Sequence, residues 1–162
     1  MCNPYKILSF YHALSSDNKY LAYVDEDEMM KDKIVILNLS TAEKTVLVKS
    51  DKRDSIINNV CWSPDGQKLG YTHGKEIKII DVFGKKNTTV KSFADNLLCY
   101  ELRFIDNQHL VYQLGEFSSG YEPLRILEIA TGKDVKVIKN LEINGRLYVV
   151  DNGKKIIVEV GY

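Results

Sequence analysis

One short pattern occurs four times in the chain and limits what it can fold into. An acidic or amide residue opens a tight turn, a basic or polar residue follows, and a β-rich run comes next. The copies are Asp17-Asn18-Lys19-Tyr20-Leu21-Ala22-Tyr23, Asp65-Gly66-Gln67-Lys68-Leu69-Gly70-Tyr71, Asp106-Asn107-Gln108-His109-Leu110-Val111-Tyr112 and Asn152-Gly153-Lys154-Lys155-Ile156-Ile157-Val158, aligned without gaps. Their starts lie 48, 41 and 46 positions apart, a spacing typical of repeats that each form one supersecondary unit. Asx-Gly and Asx-Asn pairs turn a chain sharply, because Gly and Asn tolerate positive φ and an Asp side chain bonds its own backbone.

Upstream of each turn is an alternating run with apolar or aromatic anchors: Val60 and Trp62, Leu102 and Phe104, Leu147 and Val149, and more weakly His12 and Leu14. Downstream come two further β-rich runs: Ile34 to Leu39 then Thr45 to Val48, Ile77 to Val82 then Thr88 to Phe93, and Leu124 to Ile129 then Val135 to Ile138. The segments joining each pair are composed of turn formers. Each unit therefore reads as a four-stranded antiparallel meander, and the units fall near residues 5–50, 51–94, 95–140 and 141–162 of a single all-β domain. The fourth ends after its second strand, giving about three and a half units. No stretch keeps a 3.6-residue apolar period; the charged octet Glu26 to Lys33 reads as a loop. The aligned Leu21, Leu69, Leu110 and Ile156, with Trp62 and Phe104, are expected in the core.

Val60-Cys61-Trp62-Ser63-Pro64-Asp65-Gly66-Gln67-Lys68-Leu69-Gly70-Tyr71 resembles the WD40-like Pro-Asp repeat of TolB-like and peptidase-type β-propellers. The other units keep the turn and lose the Ser-Pro, having Ser15-Ser16 in the first and Phe104-Ile105 in the third. The resemblance covers Tyr5 to Tyr162 loosely. It implies a partial β-propeller of four-stranded antiparallel blades, with the first strand of each blade lining a central channel, and it specifies fold better than function.

In that order the loops joining strands two to three and four to one share one face. They hold twelve acids and seven bases, whereas the turns of the opposite face hold six acids and eight bases. A chain with 22 Lys+Arg, 22 Asp+Glu and no formal net charge is thus expected to carry a dipole, with an acidic face suited to a basic protein or peptide. The candidate partner-binding residues are Asp25, Glu26, Asp27 and Glu28 on the first such loop, with Tyr121 and Glu122 on the third unit's. The acidic run lacks the Gly and terminal Glu of a calcium loop, having Met30 and Ile36 there, so no metal and no cofactor is assigned.

Cys2, Cys61 and Cys99 are an odd count without a CxxC pair, which argues against a disulfide framework or a zinc knuckle. Cys61 is expected to be a buried, inert thiol. His12, His73 and His109 fall in separate units without metal-ligand spacing. Nucleophile-elbow, Walker, dinucleotide and zincin motifs are all missing, and Ser118-Ser119-Gly120-Tyr121 has no neighbouring base. Tyr-rich strands without a basic face disfavour nucleic acid, and no apolar run reaches the roughly 20 residues of a membrane span.

The sequence therefore points to a non-enzymatic interaction module. Two alternatives stay open: the gating propeller of a serine peptidase separated from its hydrolase domain, and an envelope lipoprotein beginning at Cys2 after removal of a leader. The chain as given reads as cytoplasmic, and as a cell-envelope or extracellular protein under the lipoprotein alternative. Unfinished sheet edges favour association of copies of the chain.

Overall fold

The computed structural model describes residues 11–51, 56–95, 97–116, 120–121, 123–137, 147–150 and 153–158. Cys2, Ser119, Glu122 and Asn152 lie outside them.

Among the described residues the only regular elements are strands. The first sheet is β1 (His12–Leu14), β2 (Tyr20–Glu26), β3 (Asp32–Asn38) and β4 (Lys44–Lys49), in that order. The second repeats it with β5 (Ile57–Trp62), β6 (Lys68–His73), β7 (Glu76–Asp81) and β8 (Asn87–Ser92). The third contains β9 (Leu98–Phe104), β10 (His109–Glu116), β11 (Gly120–Tyr121), β12 (Arg125–Glu128) and β13 (Asp134–Lys136). The fourth pairs β14 (Leu147–Val150) with β15 (Lys155–Val158). All pairs are antiparallel, so the expected meander holds in every unit.

Two details differ from expectation. The third sheet has five strands, because β10 runs four residues past its ladder with β12 and its end pairs with β11, Gly115 opposite Tyr121. The first hairpin is longer than expected, since Asp25 and Glu26 still pair with Lys33 and Asp32 and only residues 27–31 make the turn.

The turns explain the repeat. In the second unit Asp65 Oδ1 accepts the Ser63 hydroxyl at 2.6 Å and the Gln67 amide at 3.0 Å, while Ser63 Oγ accepts the Lys68 amide at 2.9 Å. Ser15, Asp17 and Tyr20 reproduce this in the first, with Ser15 Oγ donating to Asp17 Oδ1 at 2.7 Å and accepting from Tyr20 N at 3.0 Å. The third turn is one residue shorter: Leu110 pairs with Phe104 where Leu69 pairs with Trp62. Ile105 stands where a Ser would, and Asp106 alone accepts the amides of Gln108 and His109. That deletion is why the Ser-Pro is missing there.

Successive side chains on a strand point to opposite faces, and the second and third blades pack on both. Ala22, Val24, Ile34 and Ile36 of the first blade form one core with Ile57, Val60, Trp62, Leu69 and Tyr71 of the second. Cys61, Ile77 and Ile79 on the second blade's other face join Leu102, Phe104, Leu110 and Tyr112 of the third. Val111 and Leu124 then meet Leu147 of the fourth, with Val149, Ile156 and Val158 packed alongside. Trp62, Phe104, Leu69 and Leu110 are buried as expected. Leu21 is only half-buried because it lies on the first blade's outward face, and Ile156 because the last junction is the smallest core.

Polar contacts stitch the same junctions. Asp32 Oδ2 accepts the Ile57 amide at 2.7 Å, binding the first blade to the edge of the second. Asn59 is buried at φ 55° within a β-bulge of β5, and its Nδ2 donates to the Cys99 carbonyl of the third blade at 2.7 Å. Asn tolerates that left-handed geometry better than most residues, and a bulge re-aims its side chain.

Candidate functional site

The inner strands β1, β5, β9 and β14 lie side by side, each hydrogen-bonded to one neighbour within its own sheet and open on its other edge. Together they line a trough of about 430 Å³ walled by Leu14, Val60, Trp62, Phe104, Tyr148 and Arg103, with Ser16, Ser63 and Pro64 at the turn end. Leu14 and Tyr148 are exposed. Side chains cap the strand edges that face it: Trp62 Nε1 donates to the Ala13 carbonyl at 3.0 Å and Arg103 Nη1 to the Leu102 carbonyl at 2.7 Å.

Glu101 is the only carboxylate and Arg103 the only Lys or Arg on the four inner strands. Arg103 Nη2 lies 3.1 Å from Glu101 Oε2. Burial and then the Glu101 charge hold the Tyr11 hydroxyl above its ordinary pKa. The trough thus combines apolar and aromatic walls with one guanidinium whose charge is partly balanced.

The sequence-chosen acids occupy one hairpin tip on the first blade, and two of the four are engaged locally. Asp25 Oδ2 is 3.2 Å from Lys33 Nζ. Asp27 Oδ1 accepts the Met29 amide at 2.8 Å and the Lys31 amide at 3.0 Å, which lowers its pKa through those bonds, the Lys31 one foremost. Glu26 and Glu28 are exposed. Tyr121 lies in β11 of the third blade, and no residue of β2 or β3 approaches β10 or β11. The structure therefore gathers Asp25 to Glu28 and does not join them to Tyr121; Glu122 falls outside the described residues.

Two further groups are structural. Asp134, nearly buried, accepts Lys91 Nζ at 2.6 Å, Arg125 Nη1 at 2.7 Å and the Tyr112 hydroxyl at 2.8 Å, which clamps the outer strand of the second blade to the third. Burial alone would raise its pKa, yet these bonds outweigh it and hold it at about 2. In the second blade Asn87 donates to the Tyr71 hydroxyl from the equivalent place. Burial pushes the Cys61 thiol up to about 12 and raises Cys99 as well, so both are poor nucleophiles.

Sequence reasoning missed the trough because its walls come from four units that only the ring-like packing brings together. One signal was available: Glu101 and Arg103 stand two apart on an otherwise uncharged set of inner strands.

These features define a TolB-like β-propeller fold, present as three blades and the first two strands of a fourth. No protein-family model and no curated protein matches the chain. Among solved structures, TolB from Acinetobacter baumannii is similar at TM-score 0.69 and 20% identity over 91% of this chain. The nidogen/laminin complex is similar at TM-score 0.63 and 8% identity over 80%, and the AtxE2 isopeptidase at 0.62 and 13% over 79%. The chain spans 36%, 46% and 28% of those chains respectively. Sharing a fold with both binding proteins and enzymes leaves function to the site.

Proposed function

We propose that the chain is a non-enzymatic propeller module that binds a protein or peptide partner, and that the trough is its principal contact surface. The carrying observation is the trough's composition. An extended segment laid along it meets Leu14, the rim of Trp62 and the Arg103 guanidinium above a floor of Val60 and Phe104, the mixture of aromatic, apolar and Arg groups that polypeptide interfaces favour. The nidogen propeller, solved with laminin, supports a protein partner. Glu26 and Glu28 on the hairpin tip are a second contact, suited to a basic partner.

Trp62 is the only tryptophan and lines the trough, so its emission reports occupancy. A peptide array followed by Trp62 titration should find ligands that shift the emission, and Arg103→Glu should weaken them at least tenfold by removing the cation. Binding insensitive to Arg103→Glu and abolished by Glu26→Lys with Glu28→Lys would move the site to the loop face. Hydrolysis of a bound peptide by the purified chain would end the non-enzymatic reading.

The likeness to an isopeptidase favours one second reading, a gating propeller within a larger peptidase. A nucleophile elbow encoded beyond Tyr162 would establish it, just as a leader encoded immediately before Cys2 would establish the lipoprotein reading.

A further inference from the structure

Three junctions in this chain follow one size rule. Each blade turns the fourth and sixth residues after its Asx toward the preceding blade and the fifth toward the following one. Leu69 and Tyr71 face a first blade carrying Ala22, and Leu110 and Tyr112 face a second carrying Gly70. At the third junction the receiving residue is Val111, and the incoming pair shrinks to Ile156 and Val158. The fit at Gly70 is tight: a Cβ there would lie 3.1 Å from Phe104 Cε2, 3.2 Å from Cys61 Sγ and 3.5 Å from Leu110 Cδ2. A Leu–Tyr pair therefore seats on Ala or Gly, and a β-branched receiving residue takes a shorter β-branched pair, since interiors packed to crystal density accommodate no surplus methylenes.

The fourth blade turns Ile157 outward at the fifth position, with Tyr148 beside it on the neighbouring strand; they are 52% and 43% exposed. We infer that this face seats a further antiparallel blade that presents short β-branched side chains, in the manner of Ile156 and Val158, where the second and third blades present Leu and Tyr. Its support is continuity with the three junctions already formed. A second copy of this chain offers Leu21 and Tyr23 at the matching positions, a pair the rule assigns to Ala or Gly rather than Ile157. A blade of the stated kind fits, and head-to-tail joining of two copies does not.

The rule can be tested on the full chain extended beyond Tyr162 by a second copy of residues 123–162, which supplies the missing outer strands and a new Ile–Val pair. Amide hydrogen exchange at Tyr148 and Ile157 should slow at least tenfold in this extended chain. The same extension with Ile156→Leu and Val158→Tyr in the added copy should give no such protection until Ile157→Gly is introduced in the original blade. Equal protection by both extensions, or by neither, overturns the inference. A second measurement needs no extension: Val158→Tyr in the native chain should lower the urea midpoint, and adding Val111→Gly should restore most of it. Additive losses from those two substitutions would equally overturn the rule.

Discussion

The indole N–H of Trp62 donates to the backbone carbonyl of Ala13, 3.0 Å away, across the boundary between the first and second blades. Ala13 is on an inner strand whose second edge has no strand partner among the described residues, so the indole does for that carbonyl what a neighbouring strand would do elsewhere. Trp62→Phe keeps an aromatic ring but loses the donor and leaves a gap. It should cost about 2–3 kcal/mol in urea unfolding, the sum of a lost hydrogen bond and a modest cavity. A loss below about 0.5 kcal/mol would mean that water replaces the indole without penalty.

Asp134 sets an acid limit. A carboxyl whose folded pKa is depressed stabilises the fold above its unfolded pKa, near 3.9, and that stabilisation disappears as pH falls through the folded value. With Asp134 held at about 2, its contribution should fade between about pH 4 and pH 2 and amount to about 2 kcal/mol at neutrality. Asp134→Asn should lower stability at pH 7 and flatten the pH profile across that window. A wild-type profile already flat there would refute the clamp.

Glycine matters most where the chain has no room for a side chain. At Gly153, φ is +86° and a Cβ would run into the carbonyl of Ile105 on the third blade. At Gly66, φ is +69° but the nearest heavy atom is 3.9 Å away. Gly66→Ala should therefore cost about 1 kcal/mol through backbone strain alone, and Gly153→Ala substantially more, read as a larger drop in thermal midpoint. Equal shifts would show that the fourth turn does not press on the third blade.

The thiols of Cys61 and Cys99 should resist alkylation in the folded protein, because both are buried and raised in pKa. Peptide mapping after timed iodoacetamide treatment should find these two unmodified until urea opens the cores. Fast labelling of Cys61 at neutral pH in the absence of denaturant would contradict the packing of the second junction.

The blades were legible because their information is local: Asp17, Asp65 and Asp106 sit at turns the backbone needs, and Leu69 or Leu110 follows at fixed distance. The shortened third turn was not legible, since replacing Ser-Pro by Ile105 looks like divergence until the Phe104–Leu110 pairing shows a deletion. Loop order alone groups the candidate contact set into one surface. Asp27 is occupied by its own turn, and Tyr121 lies two blades on from the acids, because a face shared by loops says nothing about their separation around the ring. Arg103 alone carries no signal in the sequence for the converse reason: one charge among apolar strand residues has meaning only beside Trp62 and Tyr148.

Among the described residues, every strand-to-strand contact between blades joins sequence neighbours, first to second, second to third and third to fourth; no described strand of the first blade approaches one of the third. During synthesis at about 5–20 residues per second, each emerging unit of some 45 residues finds its receiving face finished only seconds earlier and waits for nothing distant. Asp32, ready before β5 is made, can accept the Ile57 amide as that strand arrives. Blade-by-blade assembly in the order of translation therefore needs no contact that has yet to be made.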